Sequence, residues 1–117
     1  MEKIDQFIEN NLDDSIVELS KLVSQPSISA QNYGLTECAN IVSEMLEARG
    51  FQVRVMETEG APVVFGQRSG QCNKTLLIYN HYDVQPPEPL EMWESEPFKP
   101  IVRDGKLFGR GTADDKG

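Results

Sequence analysis

Histidine is almost missing from this chain: 117 residues hold one, His81. Cysteine is scarce as well. Cys38 and Cys72 lack C-x-x-C spacing, which leaves them as idle thiols, with a disulfide as the lesser alternative. Cations are outnumbered, 11 Lys and Arg against 19 Asp and Glu, for a net charge of −8. A nucleic-acid groove needs clustered cations to neutralise phosphates, so that class of partner is excluded. No apolar run approaches the roughly 20 residues of a membrane span. The opening MEKIDQFIENN has neither the basic nor the apolar region of a secretory signal. Internal repeats and low-complexity tracts are also missing. These absences describe a cytoplasmic chain with no membrane and no nucleic-acid partner. Hydrophobic residues reach 38%, low for a self-sufficient globule yet far from a disordered composition. At this length the chain makes at most one small domain, and the shortfall suits a piece of a larger one.

What is present begins with helical patterning. Residues 2–9 read as a short helix. A second start is expected at Ser15, where SIVE offers a capping box between Ser15 and Glu18. Leu12, Ile16, Leu19 and Val23 then recur at helical spacing until Pro26 breaks the pattern. The next helix is expected from about Thr36 to Arg49. Its apolar stripe is Cys38, Ile41, Val42, Met45 and Leu46, and Gly50 is suited to the left-handed turn that ends it. From Phe51 the period changes to two: FQVRVME and PVVFG read as half-buried strands. TLLIYN, Thr75 to Asn80, is continuously apolar, the pattern of a strand covered on both faces in a parallel sheet. FKPIV and KLFG flank an Asp104–Gly105 turn and predict a hairpin. The sum is an α/β or α+β layer architecture, and no helix or strand closes it off at Gly117.

Two stretches carry chemistry. His81 and Asp83 follow the apolar run, and residues two apart in extended backbone project to one face. A carboxylate there can hold one ring N–H while the other nitrogen binds a metal. The same pair can equally be a structural strand-end histidine with its acceptor, because H-x-D is common by chance. The second stretch is GRGTADDKG. It lacks the third glycine and the G-K-S/T of a phosphate loop. Asp114 and Asp115 are like charges side by side, which a cation would relieve, and one carboxylate can bridge two divalent ions. A solvated turn fits the two aspartates as well. Spacing alone leaves both pairs open.

Taken together, HYDVQP, WESEPF and DGKLFGRGTADDKG resemble the amino-terminal half of the catalytic domain of M20 dizinc metallopeptidases, the aminoacylase, carboxypeptidase and dipeptidase family. The resemblance covers essentially the whole chain, including QPSISA and the Thr36–Arg49 helix, and DDKG is most similar to the dipeptidase branch. It implies a three-layer α/β domain, a mixed sheet flanked by helices, of which residues 1–117 are the amino-terminal portion. The smaller lid or dimerisation domain and the second half of the catalytic domain are then absent. It also implies that His81 binds one metal, that Asp83 orients His81, and that Asp114 bridges two ions through a carboxylate whose bond to Asp115 is cis. The ions would be zinc, with manganese or cobalt accepted by the same donors. The implied substrate is a small peptide, and a homodimer is allowed for the full-length protein. The family's Glu-Glu pair, which includes its general base, and its later ligands do not occur here, so the chain by itself is expected to be inactive. Two other functions stay open: a deacylase of N-acyl amino acids from the same family, and a non-catalytic α/β binding module.

Overall fold

The computed structural model describes residues 1–117. Helix α1 spans Glu2–Ser24 and α2 spans Leu35–Ala48. Strands β1 (Gln52–Met56) and β2 (Val63–Gln67) pair antiparallel, from Gln52 opposite Gln67 to Met56 opposite Val63. Strands β3 (Ile101–Arg103) and β4 (Lys106–Phe108) form a second antiparallel pair. Its turn is Asp104–Gly105, both residues at positive φ, as a two-residue turn whose twist matches that of the strands requires.

The first helix differs from expectation. Residues 2–24 form one helix and not two, and Ser15 lies inside it, where a capping box has no helix start to serve. No glycine or proline interrupts residues 2–24, so nothing stops helical propagation before Pro26. Glu2 and Asp5 in the first turn and Lys21 in the last also match the helix dipole. Only its final turn is buried, at Leu22 and Val23; Ile4, Phe7, Ile8 and Leu12 face solvent. Helix α2 ends within a residue of its expected bounds, and Gly50 is left-handed. One face of the β1–β2 ribbon lies against α2, where Gly66 leaves room for Leu46 and Phe51.

The expected mixed sheet is represented by these two separate ribbons and by one parallel bridge between Ile28 and Val84. Residues 75–80 are not a strand, and Leu76, Leu77, Ile78 and Tyr79 are between 74% and 88% exposed. A buried parallel strand needs neighbours on both edges and layers on both faces. The four strands of this chain are used up in two antiparallel pairs, so TLLIYN has the composition of a core strand without the partners.

The core lies where the end of α1, the loop after it, the start of α2 and residue 84 meet: Leu22, Val23, Ile28, Leu35, Cys38, Ala39 and Val84. Ion pairs Glu18–Arg49 and Lys21–Glu44 also join the helices, but they are exposed and contribute at most about 1 kcal/mol each. Apolar packing at Val23, Cys38 and Ala39 therefore fixes the junction. The radius of gyration is 15.9 Å, against about 13 Å for a compact chain of this length. Both cysteines are free. No helix is long and apolar enough to cross a membrane.

Candidate metal centre

Although residues 75–80 are unpaired, the residues just after them are tied down on several sides. The loop after α1 runs beside Tyr82–Val84: the Val84 N–H donates to Ser27 O at 2.8 Å. The fully buried Ser27 hydroxyl donates to Tyr82 O at 2.6 Å. The Tyr82 hydroxyl donates to Pro62 O, at 2.5 Å, and burial raises its pKa. His81 therefore projects from a backbone anchored to the core at the next residue.

The ring of His81 lies between carboxylates. Its Nδ1 is 3.1 Å from Asp83 Oδ1 and 3.1 Å from the Asp83 backbone oxygen. Its Nε2 is 3.1 Å from Asp114 Oδ1 and 3.8 Å from Asp115 Oδ2. The bond to the Asp83 carbonyl raises the His81 pKa above the ordinary histidine value, and the charges of Asp115 and Asp83 add to it; burial acts the other way. Asp114, 80% exposed, presents its carboxylate openly, whereas Asp115 turns back and accepts from the His81 N–H and from Asn80 Nδ2, both at 3.4 Å. The Asp114–Asp115 peptide bond is cis. All three residues singled out in the sequence, His81, Asp83 and Asp114, thus meet at one place.

Four further residues, Ser29, Asn80, Asp115 and Lys116, contribute, and of these the sequence offers only Asp115 as a candidate. Ser29 donates its hydroxyl to Asp83 Oδ2 at 2.6 Å from a segment 54 residues away. Asn80 and Asp115 brace the backbone of the site. Lys116 sends its ammonium back across the core to the end of α1 and donates to Leu22 O at 3.0 Å and Gln25 O at 2.6 Å. Leu22 O also accepts the Gln25 N–H at 3.3 Å, whereas Gln25 O has no backbone donor; both lie at a helix C-terminus, where positive charge is favoured. Burial lowers the Lys116 pKa. Replacing Lys116 by Met should strand Gln25 O, remove a donor from Leu22 O and cost about 2 kcal/mol. Thermal melting followed by circular dichroism should then show a midpoint lower by roughly 10 °C.

No group of three or more His, Cys, Asp or Glu side chains is arranged to enclose a metal ion. What the chain brings together is one edge of a coordination shell. Two donors on the same tetrahedral zinc, each about 2.0–2.1 Å from it, lie about 3.3 Å apart. The 3.1 Å between His81 Nε2 and Asp114 Oδ1 is close to that separation. The donor types, an imidazole nitrogen and a carboxylate, suit zinc as well as manganese or cobalt.

Comparison with known proteins places this chain in a lineage. The profile of peptidase family M20/M25/M40 matches residues 77–117. The Cys-Gly metallodipeptidase dug1 of Schizosaccharomyces pombe is 36% identical, with all of this chain and 28% of the relative covered. A succinyl-diaminopimelate desuccinylase of Stenotrophomonas maltophilia is 37% identical over 83% of this chain and 25% of its own. The crystal structure of human carnosine dipeptidase 1 superposes with a TM-score of 0.85 at 27% identity, over 98% of this chain and 28% of that one. The chain thus spans about a quarter of the length of the relatives it matches. Its mixed α/β fold is that of their catalytic domains. With the family's profile on the histidine and aspartate motifs and its fold beneath them, the chain belongs to the M20 peptidase family.

Proposed function

We propose that this chain supplies part of a two-metal site in a hydrolase that cleaves dipeptides or short peptides, with His81 and Asp114 as metal ligands and Asp83 as the residue that orients His81. One observation carries the reading: both ring nitrogens of His81 face carboxylates. A neutral imidazole has a single N–H. If Nδ1–H is given to Asp83, the lone pair of Nε2 confronts the oxygens of Asp114, and only a cation between them makes the contact favourable. A proton can fill that place, and a divalent ion competes with it.

Bound divalent ions supply Lewis acidity to the carbonyl of a substrate. The chain's own residues prepare for that. Asp83 holds the proton on Nδ1 and keeps Nε2 directed outward, Asp115 fixes the backbone beneath, and Asp114 leaves its second oxygen open for a second ion. Zinc is the expected metal. With the remaining ligands and the general base outside this chain, the isolated 117 residues bind metal weakly and do not hydrolyse peptides.

The test has two arms. Calorimetric titration of the chain with zinc should give a dissociation constant in the tens of micromolar, following from about 3 kcal/mol for each of two ligands. A full-length protein carrying this segment, assayed with zinc or manganese, should hydrolyse Cys-Gly faster than an N-succinyl amino acid. The desuccinylase relative makes the reverse preference the specific alternative. Absence of zinc binding by the chain, or hydrolysis of neither substrate by the full-length protein, would sink the proposal.

A further inference from the structure

The carboxylate of Asp83 is shared between two partners. Oδ1 meets His81 Nδ1, and Oδ2 accepts the Ser29 hydroxyl at 2.6 Å, the length of a charge-assisted O–H···O⁻ bond. Held at both oxygens, the carboxylate loses its freedom to rotate about the terminal side-chain bond, a torsion that is otherwise broad for aspartate. Ser29 is presented at this point because residues 27–29 lie alongside residues 82–84. The bridge between Ile28 and Val84 and the two bonds of Ser27 set that register.

The Ser29 side chain has no other work visible in the fold. It is exposed, and its hydroxyl bonds nothing except Asp83. Its backbone carbonyl accepts from the Asn32 N–H and closes the short turn Ser29–Gln31, a bond that does not depend on the side chain.

From this we infer that Ser29 is a positioning residue for His81: by pinning Asp83 it holds the carboxylate that, together with the Asp83 backbone oxygen also 3.1 Å from Nδ1, keeps the imidazole as the Nδ1–H tautomer, with Nε2 towards Asp114. The consequence for metal affinity rests on the function proposed above; the consequence for the tautomer does not. A carboxylate that accepts from both an imidazole and a hydroxyl is a more fixed orienting group than one that accepts from the imidazole alone. Outer partners of this kind alter metal affinity by about ten- to a hundredfold when removed. Ser29 acts one step further out, so about three- to tenfold is expected for its loss.

The experiment uses nitrogen-15 NMR of the ring at about pH 9 together with zinc titration by calorimetry, on the wild-type chain, Ser29→Ala and Ser29→Thr. His81 is the single histidine, so its ring signals are unambiguous. Wild type should show the Nδ1–H form. Ser29→Ala should shift part of the population towards Nε2–H, the Asp83 backbone oxygen remaining as an acceptor for Nδ1–H, and lose about three- to tenfold in zinc affinity, and Ser29→Thr, which keeps the hydroxyl, should restore both. A Ser29→Ala ring spectrum identical to wild type would overturn the inference, as would Nε2–H in the wild-type chain. If Ser29→Ala fails to fold, Ser29→Thr decides: the wild-type tautomer supports the inference and its loss refutes it. Should no variant bind zinc while the tautomer shifts as described, Ser29 retains its role and the metal reading fails.

Discussion

His81→Ala is expected to weaken zinc binding by the chain about a hundredfold. Structural zinc sites bind with about 10–16 kcal/mol spread over four ligands, roughly 3 kcal/mol for each. At about 1.4 kcal/mol per tenfold, losing one ligand is worth about two orders of magnitude. A dissociation constant in the tens of micromolar would move into the millimolar range. Asp114→Ala should have a comparable effect, because it removes the other donor at the 3.1 Å edge. Asp83→Ala should cost less, about ten- to a hundredfold, since it removes the orienting group and leaves both donors. This ordering distinguishes a metal ligand from a structural histidine. A histidine present only to bond Asp83 would show no zinc dependence, and its replacement would change stability alone. Calorimetric titration of the three variants against wild type makes the comparison. Retention of wild-type zinc affinity by His81→Ala would remove the imidazole from the site and leave the aspartates to be explained as surface charge.

How much of this was legible in the sequence follows from the range of each signal. Helix α2, the strands β1 and β2 and the last hairpin announce themselves within a few residues: an apolar stripe closed by Gly50, a period of two from Phe51, and Asp104–Gly105 between strand residues. Helix α1 was legible as helix but not as one piece. A serine followed three residues later by glutamate marks a helix start only if the chain is not already helical when it arrives there. TLLIYN shows the opposite limit. Its composition reports the environment the segment suits, whereas strand formation depends on neighbours that composition does not contain. At the site, the i, i+2 spacing of His81 and Asp83 was readable because extended backbone converts it directly into contact. The meeting of His81 with Asp114, 33 residues on, had no local signal and came from resemblance alone. Ser29 lies in QPSISA, Asn80 in TLLIYN and Lys116 in DDKG, but none of the three has a local signal for its role; each acts through a contact set by packing.

Gly34→Ala is expected to be the most damaging small substitution in the chain, and the damage should reach the metal centre. Gly34 precedes the first turn of α2 at φ +71°, in the left-handed region. A Cβ there would lie 2.0 Å from Pro26 O and 2.9 Å from Pro26 C, far inside contact distance and against backbone that has little freedom to yield. Left-handed conformation costs a non-glycine residue about 1–2 kcal/mol, and overpacking adds about 1–3 kcal/mol. The sum, about 3 kcal/mol, is a large part of the roughly 5–15 kcal/mol that holds a typical domain together. Relief of the clash requires Pro26 to move, and Ser27 to Ser29 must follow it. Those residues hold Tyr82 O, the Val84 N–H and Asp83 Oδ2. The displacement is thus passed directly to the carboxylate that orients His81. Urea denaturation should show a lower midpoint for Gly34→Ala, and zinc titration of the molecules that remain folded should show weaker binding. Gly70→Ala is the control: nothing lies within 4 Å of its added Cβ, so stability should stay within about 1 kcal/mol of wild type. Equal midpoints for Gly34→Ala and Gly70→Ala would mean that the α1–α2 loop does not pack against Gly34, and the route from that loop to Asp83 would fall with it.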